Sequence, residues 1–97
     1  MKSLLVFAAL IMSAVPVKAA DELNQKKVYF YGFVYGSGAT LCGALEDKQI
    51  TKEYAQYFLP SLVESLLKDP RNKGYTPSIN KAYENIKKAD VCKGVYQ

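Results

Sequence analysis

Three stretches of the chain repeat apolar residues at helical intervals. In the first, Val28, Tyr31, Tyr35, Gly38, Cys42 and Leu45 recur at spacings of three and four, which places them on one side of a helix. A second stripe, Gly32, Gly36, Ala39 and Gly43, runs beside it and carries only small side chains. That composition lets another backbone approach closely, so these four are expected to be a helix close-packing surface. The same segment supports another reading. Residues 28–35 are rich in Val, Tyr and Phe, as a β-strand is, and each glycine inside a helix costs about 1 kcal/mol. Polar and apolar residues do not alternate there, so a helix is the expectation and a strand over 28–35 the alternative.

In the second stretch, Ala55, Phe58, Leu59, Leu62, Val63, Leu66 and Leu67 fall at helical spacing. Thr51 is placed to cap this helix, with Glu53 favoured in its first turn. Pro60 should kink or divide it, and Pro70 should end it at Asp69. Residues 71–74 read as a loop. The third stretch starts at Thr76-Pro77, with Thr76 as N-cap and Pro77 at the first helical position. Its apolar side is Ile79, Ala82, Tyr83, Ile86 and Ala89, with Lys87 and Lys88 in the last turn where cations suit the dipole. Gly94 can then supply a positive φ. These patterns predict an all-α fold, a small bundle of three or four helices, with intramolecular packing as the use of the Gly32–Gly36 spacing.

The first residues read differently. Met1-Lys2-Ser3 is a short basic start, Leu4 to Val15 an apolar run, and Val17-Lys18-Ala19 a small-x-small cleavage site. Residues 1–19 are expected to be a signal peptide and residues 20–97 a single helical domain. The apolar run is too short to span about 30 Å of hydrocarbon, so no transmembrane anchor is expected after its removal. The expected location is the periplasm or the medium.

Size and export give the two cysteines their meaning. A domain this small hides little apolar surface, and an oxidising compartment makes a disulfide the default. Cys42 and Cys92 are the only two, so one pairing is available. The Cys42–Cys92 bridge would close a loop worth about 4 kcal/mol in the chain-entropy model. A redox pair is the other reading, but catalytic pairs usually lie close in sequence.

Charge and residue inventory then narrow the function. Taking Lys2 and Lys18 from the 13 basic residues leaves 11 against 9 acidic ones, a net charge of +2 for residues 20–97. That is no footprint for nucleic acid. With no His and two Cys, no ordinary metal site is expected, and no cofactor. Ser37 in Gly36-Ser37-Gly38 lacks the spacing and the base of a nucleophile turn, and Glu46-Asp47 reads as a solvated pair. No catalytic residue is assigned, and the protein is expected not to be an enzyme.

Tyrosine is over-represented, with all eight in residues 20–97. An apolar ring with a polar tip suits half-buried positions and interfaces. Tyr29, Phe30 and Phe33 fall off both stripes of the first helix and form the candidate protein interface. The expected partner is another exported protein or a second copy of the chain.

Two families share features with this order of residues. Tyr31-Gly32-Phe33-Val34-Tyr35-Gly36, Cys42, Ile50-Thr51, Pro70, Ser78 and Cys92 together resemble the Tai-type immunity proteins. Those are small periplasmic helical proteins that inhibit secreted amidase effectors, which implies an inhibitor. Pro60 to Pro70, with Tyr83-Glu84-Asn85-Ile86-Lys87-Lys88, is similar to the central and last helices of the HdeA/HdeB-type acid-stress chaperones, although Leu66 stands where that family has a Cys. That resemblance implies an acid-responsive chaperone. Nine carboxylates losing charge between about pH 5 and 3 would carry the net charge from +2 towards +11, and self-repulsion would loosen the fold or an oligomer.

Overall fold

The computed structural model describes residues 18–96, which are 86% helical and contain no strand. Three α-helices form the fold: α1 (Lys18–Glu46), α2 (Lys52–Lys68) and α3 (Thr76–Lys88). Short 3₁₀ turns cover Pro70–Tyr75 and Asp90–Cys92. The expected signal peptide lies outside the described residues, apart from Lys18 and Ala19 at the start of α1.

Residues 28–35 are helix, so the strand alternative is set aside. Burial of one face prevails over the strand composition. Val34, Gly38 and Cys42 are buried, and Tyr31, Tyr35 and Leu45 are half-buried around them. Val28 lies on the same stripe yet is largely exposed, because α1 runs past its neighbours at that end. At its other end α1 stops in a Schellman arrangement. The Gln49 N–H donates to the Ala44 carbonyl at 2.8 Å and the Lys48 N–H to the Leu45 carbonyl at 3.0 Å. Lys48 takes the left-handed conformation, φ 61°, that this turn requires.

α2 begins as expected, with the Thr51 hydroxyl accepting from the Tyr54 N–H at 3.1 Å. It continues as one helix through Pro60 and is not divided there. It ends at Asp69, extended at ψ 117° ahead of Pro70. Residues 71–74 are not an open loop. They belong to the 3₁₀ turn that feeds directly into α3. Asp69 Oδ1 accepts from the Arg71 N–H at 2.9 Å, and the Asn72 side chain donates to the free Leu66 carbonyl at 3.0 Å. Because that turn is already helical, Thr76 is in the α region as the first residue of α3 and is not its N-cap. Tyr75 precedes it without a capping side chain.

The core joins Val34 and Cys42 from α1, Ala55, Leu59 and Val63 from α2, and Ile79, Ala82 and Ile86 from α3. After α3 the chain folds back over α1 and α2. The Cys42–Cys92 disulfide is formed, with Cα atoms 5.3 Å apart. Gly94 has φ 79°, and Val95 and Tyr96 beyond it are buried. Tyr96 Oη donates to the Gly38 carbonyl at 3.1 Å, and Gln56 Nε2 to the Val95 carbonyl at 2.9 Å. Burial pushes the Tyr96 phenol up to about 12, with a smaller contribution from Tyr83. Among the described residues no helix is long and apolar enough to cross a membrane.

Candidate protein interface

The glycines of the small-residue stripe do not pack against other elements of the fold. A Cβ added at Gly32, Gly36 or Gly43 would meet no atom within 4 Å, so these glycines face outward, while Ala39 is half-buried against the core. The close approach is at Gly38 instead. A Cβ there would lie 2.7 Å from Ile86 Cγ1 and 3.1 Å from Leu59 Cδ2. Three elements converge on that point, since Tyr96 bonds its carbonyl. Gly38 belonged to the buried stripe in the sequence. Its requirement for a missing side chain could have been read from its place between Val34 and Cys42, where α2 and α3 must both reach the α1 backbone.

With the glycines turned outward, α1 and α2 bound an open groove of about 480 Å³. Gly32 and Gly36 form its floor. Phe33 of α1 and Phe58 of α2 stand at its sides, and Ser37 and Thr40 supply hydroxyls. Both phenylalanines are 40% exposed. Phe58 lies at the edge of the apolar side of α2, so its ring caps the groove and does not enter the core.

The three candidate interface residues are brought together but do not all face outward. Tyr29 is 62% exposed and stacks on Phe33, with ring centroids 6.0 Å apart. Phe30 turns inward by 100° of helix rotation. It is half-buried and stacks on Tyr75 at 5.0 Å, which anchors the 3₁₀ turn to α1. Tyr29 meets the edge of Phe30 at 5.5 Å. The chain thus holds an exposed aromatic pair by a half-buried one.

Sequence reasoning missed the contribution of α2. Tyr54 stacks on Phe58 at 5.8 Å, and Tyr54 and Tyr57 are exposed. The signal was three aromatics within five residues, at positions where a helix with one buried face exposes at least two.

A second, smaller cleft of about 170 Å³ opens where Pro60 cannot donate to the Gln56 carbonyl, beside Tyr83 and Tyr96. It falls below the range of small-molecule pockets, about 300–1,000 Å³. Among the described residues no three His, Cys, Asp or Glu are placed to hold a metal ion. Glu64, exposed, and Asp69, half-buried, are carboxylates whose pKa values are lowered, by Lys68 and Arg71 respectively, through hydrogen bonds first.

No family model, curated protein or solved structure matches the chain. The physical surface is therefore the ground for any functional reading.

Proposed function

We propose that the protein acts outside the cytoplasm as a non-enzymatic binding protein that docks on another exported protein, in the manner of an immunity-type inhibitor. The observation that carries this is the groove between α1 and α2, with its glycine floor and half-exposed Phe33 and Phe58. Rigid aromatics beside a shallow apolar floor are the composition of interface centres. Glycines that the fold itself does not use suit a partner whose backbone must come close. The buried disulfide supports an oxidising setting, and the basic start and apolar run of residues 1–15 support export.

The test is capture from a periplasmic extract at neutral pH by the oxidised protein and by a Phe33→Ser/Phe58→Ser variant. One stoichiometric partner, retained by the parent and lost by the variant with an unchanged melting curve, is the expected result. Equal capture by both removes the groove from the account. A protein that captures nothing at neutral pH, and prevents aggregation of an unfolded client only below about pH 4, is a chaperone instead.

A further inference from the structure

Tyr29, which stacks on Phe33 of the groove, borders a second concavity, and this one is cationic. Lys26, Tyr29 and Phe30 of α1 face Arg71, Asn72 and Tyr75 of the 3₁₀ turn across a cleft of about 310 Å³. Resting on the protein-binding reading above, we propose that this cleft receives an acidic side chain of the partner, whose neighbouring apolar residues continue past Tyr29 and Phe33 into the groove.

The two cations come from different elements, so the cleft is assembled by the fold. Arg71 is held before any partner arrives. Asp69 accepts from its Nε at 3.1 Å and from its Nη2 at 2.7 Å, while the side chain remains 88% exposed. A guanidinium fixed in this way loses little freedom on meeting a carboxylate, and its other amino group is directed away from Asp69. Lys26 stands opposite on α1, and among the described residues it joins no ion pair. Lys73 lies in the same turn as Arg71 and is exposed. On the other side of the balance stand Asp69, which is committed to Arg71, and Glu22, one helical turn before Lys26. The rim is net positive, and the rings of Tyr29, Phe30 and Tyr75 displace water from it, which weakens screening of the charges. Stacking of Phe30 on Tyr75 fixes the distance between the two walls.

The occupant is therefore a peptide segment that places Asp or Glu beside aromatic or aliphatic residues. Selection from a displayed library of random 12-residue peptides on the oxidised protein tests this without presuming a sequence. Enriched peptides should pair Asp or Glu with an apolar run, lose about tenfold in affinity for Lys26→Glu, and weaken with added salt. Lys26 is exposed and supports no fold contact, so that variant keeps its disulfide and its melting curve. Apolar peptides without an acidic bias, or an acidic bias that survives in Lys26→Glu, would overturn the charge assignment and leave the groove standing. Absence of any enriched peptide, or preferential binding to phosphatidylglycerol vesicles, would overturn both.

Discussion

The two halves of α1 obey different rules. From Val34 to Leu45 the helix is clasped by α2, α3 and the chain end, and the glycine on its inward face, Gly38, is a steric necessity. From Asp21 to Tyr29 every residue is exposed, and along the outward face beyond it the glycines at 32 and 36 leave open space. The same residue type thus stabilises one half by its absence of bulk and weakens the other. An isolated helix of that length is marginal in water. The exposed half is kept in shape by continuity with the clasped half and by Phe30, whose ring it lends to Tyr75. A fold under selection for stability alone would fill the outward glycines. Their presence on the aromatic side is what the binding reading proposed above requires.

The largest expected effect tests the clasp. Replacing both cysteines with serine removes a cross-link worth about 4 kcal/mol. Thermal unfolding followed by circular dichroism should show the variant largely unfolded at 37 °C. An unchanged midpoint would mean that the helices hold without their bridge.

Next in size is a pH effect confined to the clasped half. The Tyr96 phenol has its pKa raised to about 12, so the unfolded chain releases this proton from about pH 10 while the folded chain retains it. Stability is complete below pH 10 and falls by at most about 3 kcal/mol as the pH rises through 12. Urea titrations at pH 9 and 11 should diverge for the parent more than for Tyr96→Phe, which loses the hydrogen bond at both values.

Third, Gly38→Ala sets a methyl group against Ile86 and Leu59. Overpacking costs about 1–3 kcal/mol, the better helix propensity returns about 1, and a net loss of up to about 2 kcal/mol is expected in chemical denaturation. The smallest change has the opposite sign. Gly32→Ala and Gly36→Ala should each stabilise by about 0.5–1 kcal/mol, because the new methyl meets nothing. If these alanines stabilise the monomer and weaken partner capture, the outward glycines are kept for binding. If Gly38→Ala stabilises as well, the difference between the two halves is not one of packing.

Much of this arrangement was legible in the residues, and what escaped has a common cause. The cap at Thr51, the stop before Pro70 and the turn at Gly94 are local features, and each appears where the pattern placed it; the α1 face does so from Tyr31 to Leu45, whereas Val28 on that stripe is exposed and Val34, off it, is fully buried. The pairing of Cys42 with Cys92 followed from there being two. Which side of α1 would meet α2 and α3 was partly misjudged. Small residues in a row signal that something approaches, without saying whether it belongs to the same chain. Among the glycines of α1 only Gly38, which lies on the apolar stripe itself, is approached from within. The start of α3 slipped by one residue because the turn before it is itself helical, and a Thr-Pro pair reads the same at N-cap or one step later. The groove needed tertiary placement, since Phe33 and Phe58 are 25 residues apart and nothing local pairs them.

The sulfur bridge has a consequence beyond its energy. It turns residues 42 to 92 into a covalent ring that contains all of α2 and α3. A protease that cuts the backbone once within that ring leaves one molecule of unchanged mass but for a water, and the two pieces separate only under a reducing agent. Wherever peptidases are abundant and reductants scarce, a nick between α1 and α2 would be an injury the protein survives in one piece.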